Sequence, residues 1–143
     1  MILANTTLIT LWEKQPLVDG ALVAIEGKTI VDFGKMGKLI DRYEDVDTID
    51  LGGRVVMPGM INAHTHLSRS LAPVLPVEGG RGFRELQHRF WHRYEHALAT
   101  EDIYHSVLVG LLDSVRAGCT AVVDHHSSPS AVGGSLDAVW QAF

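Results

Sequence analysis

His64 and His66 end an apolar run that begins at Met60. On an extended strand, residues i and i+2 project to the same face, so the two imidazoles can reach a single ion. Neutral imidazole is the commonest metal-ligating side chain. A strand also holds such a pair more rigidly than a loop does. Pro58-Gly59 directly before the run is a turn signal, because Pro presets φ and Gly accepts positive φ. Val55, Val56 and Met57 form an apolar run ahead of that turn, and polar Ser68, Arg69 and Ser70 follow the histidines. A bare His-x-His also arises by chance, so these surroundings carry the metal reading.

Three further groups could do chemistry. Asp124-His125-His126 follows the apolar run Cys119 to Val123. Asp124 could orient a histidine through a hydrogen bond, and His125 or His126 could contact substrate. The alternative is a capped loop with ordinary exposed histidines. Arg69, Glu78 and Arg81 belong to a long stretch, residues 68–82, and such loops commonly carry function; the alternative is solvated loop charge. His88, His92 and His96 fall at i, i+4 and i+8 of an expected helix. That spacing can bind a metal on a helix surface, but no acidic partner completes a pattern such as His-Glu-x-x-His. They read as a polar helix face.

The elements that must position these groups follow from periodicity. Residues 1–12 and Gly20 to Glu26 are strand-like, and Gly27-Lys28 turns the chain back into Thr29 to Phe33 as a hairpin. Leu39 to Tyr43 suits a short helix, and Thr48 to Leu51 one more strand. Phe83, Leu86, Phe90, Trp91, Tyr94 and Leu98 lie on one stripe of a 3.6-residue period, predicting an amphipathic helix over 83–98 with that stripe in the core. A second helix is predicted over 101–117, with Thr100 as N-cap and Gly118 beyond its end. Ile103, Val107, Leu108, Leu111, Leu112 and Val115 would line its buried face. Cys119 to Val123 reads as a short buried parallel strand. A last helix, with Ser135 as its N-cap, places Leu136, Val139, Trp140 and Phe143 together. Strand, helices and strand in that order make a βαβ crossover, which brings Asp124 to the same rim as His64 and His66.

The segment Pro58-Gly59-Met60-Ile61-Asn62-Ala63-His64-Thr65-His66-Leu67 resembles the signature of the amidohydrolase superfamily, where it ends the first strand of a metal-binding (β/α)8 barrel. Within that superfamily the chain is most similar to the cytosine deaminase/chlorohydrolase branch, and to aminohydrolases of the SsnA type. The resemblance covers essentially all 143 residues. It implies an α/β chain in which 1–57 is a small all-β, sandwich-like segment and 58–143 is the start of a TIM-like barrel. A whole barrel takes roughly 250 residues, so about two βα units and a truncated, N-terminal portion are expected.

The implied activity is metal-dependent hydrolysis of a carbon–nitrogen bond other than a peptide bond, with an aminated heterocycle or cyclic amidine as the small-molecule substrate. His64 and His66 match the family's first two metal ligands, and zinc or iron(II) suits imidazole and carboxylate donors. The family's remaining ligands, from strands five, six and eight, and its acid or base match nothing within the chain. No complete catalytic set is therefore expected, with Arg69, Asp124, His125 and His126 left as substrate-side candidates. The alternatives are a non-catalytic fragment that binds a metal weakly or associates through uncovered apolar faces, and, among enzymes, a binuclear amidohydrolase or a chlorohydrolase.

Composition agrees with a globular chain, with 46% hydrophobic and 20% charged residues. A net charge of −5 argues against a general nucleic-acid binder. A single cysteine, Cys119, excludes an intrachain disulfide framework and suits a reducing cytosol. No apolar run reaches the roughly 20 residues of a membrane span, so a cytoplasmic location is expected.

Overall fold

The computed structural model of the protein describes residues 1–76 and 82–143. Glu78 and Arg81 lie outside the described residues. The chain divides into two compact units, Met1–Pro58 and Gly59–Phe143.

The first unit is built on a five-stranded sheet. β1 (Ile2–Ile9) is central; β2 (Leu17–Glu26) pairs with it antiparallel, and β3 (Thr29–Lys35) continues the sheet from β2. Gly27, at φ +58, makes the hairpin turn that its sequence position predicts. A short helix, α1 (Met36–Leu39), runs into a 3-10 turn at Ile40–Arg42. β4 (Thr48–Asp50) and β5 (Val55–Val56) then lie parallel to successive parts of β1. Alternation along β1 and β2, reset where their register shifts between Leu3 and Leu8, buries Ile2, Leu22 and Ala24 against Leu39 on one side, and Leu8, Val18, Ala21 and Val23 on the other. On that second side an apolar cavity of about 490 Å³ is lined by residues including Leu8, Val23, Ile30, Phe33 and Met57.

The second unit begins with β6 (Met60–Thr65), preceded by Gly59, whose missing Cβ leaves room for the Thr120 side chain. Two 3-10 turns follow, Leu67–Arg69 and Ala72–Val74. The expected helix over 83–98 is present with an interruption. α2 (Phe83–Leu86) passes through a π-helical turn, Gln87–Trp91, into α3 (His92–Ala97). The wider turn adds a residue to the period, so positions before it rotate off the stripe. Phe83, expected in the core, is accordingly 79% exposed, whereas Leu98 is buried.

α4 (Thr100–Arg116) starts one residue earlier than expected. Ala99 is its N-cap rather than Thr100, and the Ala99 N–H donates to Asp102 Oδ2 at 2.9 Å. Ile103, Ser106, Val107 and Gly110 form its buried face. Leu112 and Val115 are exposed, contrary to the expected stripe. At about 100° per residue, Leu112 comes round to the side opposite Ile103. Gly118, at φ +82, closes the helix as its position predicts. β7 (Cys119–Asp124) then pairs parallel with β6. α5 (Ser135–Ala142) is capped by Gly134 rather than by Ser135, which is its first residue, and turns Ala138 and Val139 toward the core formed with Leu67, Leu98, Ile103 and Val107. Leu136, Trp140 and Phe143 remain exposed. Among the described residues, no helix is long and apolar enough to cross a membrane.

Candidate metal-binding rim

The parallel register sets Thr65 opposite Asp124, which brings the C-terminal ends of β6 and β7 to one rim. His64 lies on β6. His66 lies one residue beyond it, at φ −126 and ψ 81, so the strand ends sooner than its apolar pattern suggests. The two rings still approach edge to face, with centroids 5.1 Å apart. His125, just past β7, completes a group of three: its ring centroid is 5.0 Å from that of His66 and 6.1 Å from that of His64.

His66 Nδ1 is 2.7 Å from the backbone carbonyl oxygen of His125. A carbonyl can only accept, so Nδ1 carries the proton and donates it. Neutral His66 therefore presents Nε2 as a bare lone pair. Ligating histidines are usually oriented in this way, by a hydrogen bond from the other ring nitrogen to a carbonyl or carboxylate. The donor chemistry thus fits a divalent ion at His64 and His66. The set is incomplete by itself: among the described residues, no three His, Cys, Asp or Glu side chains converge as a metal site.

The backbone around the pair is tied to its neighbours. The His125 N–H donates to the Thr65 carbonyl at 2.8 Å. The Leu67 N–H donates to Asp124 Oδ1 at 2.7 Å. Ser106 Oγ, buried on α4, donates to the Leu67 carbonyl at 2.9 Å. Gly110, one turn along α4, has no Cβ where one would meet Ser70 and Leu67 Cδ2. Asp124 thus binds the backbone after His66, where a bond to a histidine ring was expected. Its other oxygen, Oδ2, is buried without a hydrogen-bond partner, 3.8 Å from the equally unpartnered Nδ1 of His126. His126 Nε2 is 2.8 Å from Ser128 Oγ.

Arg69 points away from open solvent. Its Nε donates to Glu95 at 2.9 Å, Nη2 contacts the same carboxylate, and the guanidinium lies 4.6 Å from the Trp91 ring centroid. Glu95 is buried, and Tyr94 beside it donates its hydroxyl to the Ser68 carbonyl at 3.0 Å. Burial raises the Tyr94 phenol above its ordinary pKa, with the Ser106 hydrogen bond opposing. Sequence reasoning does not single out Ser106 or Glu95, and it reads Tyr94 only as part of the helix stripe. Their signal is positional: Ser106 sits with Ile103, Val107 and Gly110 on one helix face, and Glu95 lies four residues after Trp91 and three before Leu98.

On the helix before α4 the histidines diverge. His88 and His92 are exposed and approach with centroids 5.0 Å apart. His96 lies 3.4 Å from Ser130 Oγ through Nδ1.

Strand, helices and parallel strand with histidines gathered at the strand ends make a mixed α/β unit with a candidate metal-binding rim, and comparison with known proteins identifies its family. Residues 55–143 match the Amidohydrolase family, and the chain belongs to it. A 5-methylthioadenosine/S-adenosylhomocysteine deaminase from Moorella thermoacetica is 33% identical over 125 residues, covering 85% of this chain and 28% of the relative. Atrazine chlorohydrolase from Arthrobacter aurescens TC1, solved in complex with zinc, superposes with a TM-score of 0.78 at 24% identity, covering 99% of this chain and 32% of that one. Guanine deaminase from E. coli gives a TM-score of 0.75 at 17% identity, covering 99% and 34%. The chain has the mixed α/β fold of these proteins and spans about a third of their length or less.

Proposed function

We propose that this chain carries the first metal-binding portion of an aminohydrolase that removes an amino group from a small heterocyclic substrate. In this reading Gly59–Phe143 is the opening of a (β/α)8 barrel and Met1–Pro58 belongs to an accompanying β-sandwich. The observation that carries it is the hydrogen bond from His66 Nδ1 to the His125 carbonyl, which leaves Nε2 free beside His64. His64 and His66 would hold a divalent ion, with zinc or iron(II) suited to imidazole donors. Such an ion supplies Lewis acidity and acidifies water toward neutral pH. The protein's own part is to hold the two rings in one tautomer and one direction. His125, exposed beside His66, faces the side where substrate enters a barrel rim.

Deaminases among the relatives support removal of an amino group from a purine-like ring. The carboxylate on this rim, Asp124, is engaged by the Leu67 N–H through one oxygen and buried at the other. The rim therefore needs further residues for proton transfer, and the chain by itself is proposed to bind metal without turnover. The test measures zinc binding and ammonia release by the 143-residue chain with a panel of aminated purines, pyrimidines and triazines. Zinc bound through His64 and His66 with no ammonia is the expected result. Turnover abolished by His64→Ala would overturn the incomplete-site reading, and zinc binding unaffected by His64→Ala and His66→Ala would overturn the metal reading.

The exposed Leu136 and Trp140 on α5, Phe143 just after it, and Ile30 and Phe33 beside the first unit's cavity favour a second role for the chain. Apolar patches of this kind mark association surfaces. Light scattering across a concentration series distinguishes a self-associating chain from a monomer.

A further inference from the structure

We propose that Asp124 is the positioning residue of the rim, setting the tautomer and direction of His66 through the backbone of Leu67. The inference rests on the metal reading only for its purpose, since the geometry it invokes exists without metal. Leu67 follows His66 directly, and both of its polar backbone groups are held. Its N–H donates to Asp124 Oδ1 at 2.7 Å, and its carbonyl accepts from Ser106 Oγ at 2.9 Å. A hydrogen bond to a carboxylate is roughly twice as strong as one between neutral groups. Leu67 is also 1% exposed, so neither partner is readily replaced by water.

The consequence falls on the ring one residue earlier. His66 is in irregular backbone, and nothing in a strand ladder fixes it. Its Nδ1 meets the carbonyl of His125, the residue after Asp124. The end of β7 thus grips the His66–Leu67 segment twice: the Asp124 carboxylate takes the backbone and the His125 carbonyl takes the ring. The His66 carbonyl also accepts from the Arg69 N–H at 2.9 Å, but without the first grip the peptide that follows the His66 ring loses its tie to β7, and the second bond loses its alignment. Ser106 cannot substitute, because it holds the carbonyl side of Leu67, farther from His66. The remaining oxygen of Asp124 makes no hydrogen bond and lies 3.8 Å from His126 Nδ1, so among the described residues the carboxylate's one hydrogen bond is this one.

The experiment reads the tautomer of His66 directly, by long-range nitrogen–proton NMR on the metal-free 143-residue chain, with Leu67 amide exchange measured in parallel. Wild type should show Nδ1 protonated and Nε2 bare. Asp124→Ala should lose that preference, with zinc affinity lowered about tenfold or more. Asp124→Asn should retain both the tautomer and Leu67 protection, because its amide oxygen can accept the same N–H. A folded Asp124→Ala chain with the wild-type tautomer would overturn the proposal, as would a wild type lacking the Nδ1 proton. Should Asp124→Ala fail to fold, Asp124→Asn decides: retained tautomer with a protected Leu67 amide supports the role, and a lost tautomer with that amide still protected overturns it. Failure of zinc to bind wild type would sink the metal reading and leave this result readable.

Discussion

Two parts of the second unit are rich in histidine, and they are built differently. At the ends of β6 and β7, His66 is fixed by a backbone carbonyl, and its neighbour Leu67 is held on both sides. On the helix formed by α2, the π turn and α3, His88 and His92 meet edge to face on an exposed surface, and His96 turns to Ser130. The first arrangement fixes a lone pair in advance. The second leaves two choices per ring, tautomer and rotamer, to be made when a ligand arrives. Fixing those choices beforehand lowers what binding must spend on ordering. The number of histidines is therefore a poor guide to a site, and the groups on their second nitrogens are a better one.

The two regions are joined by the Arg69–Glu95 pair, so breaking that pair should have the largest effect. Arg69→Ala leaves the buried Glu95 carboxylate without its cation. Removing one partner of a buried pair is strongly destabilising, and a loss of about 3 kcal/mol is expected in urea denaturation. Adding Glu95→Gln should recover part of it by removing the uncompensated charge. Gly110→Ala comes next, acting on the strand rim alone. Its Cβ would press into Ser70 and Leu67 Cδ2, and overpacking of this kind costs about 1–3 kcal/mol. The thermal transition should fall, and the Leu67 amide should exchange faster. The smallest effect is expected on the helix row: His88→Ala and His92→Ala are surface changes and should stay within about 0.5 kcal/mol of wild type. A larger loss from either would mean that the helix row is structural, and the contrast between the regions would fail.

Much of this arrangement is legible in the residues, for reasons that can be named. The hairpin is written in Gly27 between two apolar runs, the α4 terminus in Gly118, and the shared rim in the order of strand, helices and strand. The motif around His64 and His66 points to the amidohydrolase family, to which the chain belongs. What periodicity cannot carry is a change of period. The π turn at Gln87–Trp91 breaks the stripe and puts Phe83 outside. Nor does periodicity show which polar residue serves the backbone. Asp124 reads as a partner for a histidine ring, yet it binds the Leu67 N–H. Arg69 reads as a substrate-side group or a loop charge, yet Glu95 and Trp91 enclose it. Both bonds join residues far apart in sequence, and only the parallel pairing of β6 with β7 and the packing of the helices bring them together.

The central claim is that His64 and His66, rather than the helix histidines, form the metal-binding pair. A zinc titration of the full chain followed by the nitrogen resonances of all eight histidines tests it most directly. His64 and His66 are expected to shift first and together, with His66 bound through Nε2 while Nδ1 keeps its proton. Responses confined to His88 and His92, with His64 and His66 unmoved, would contradict it.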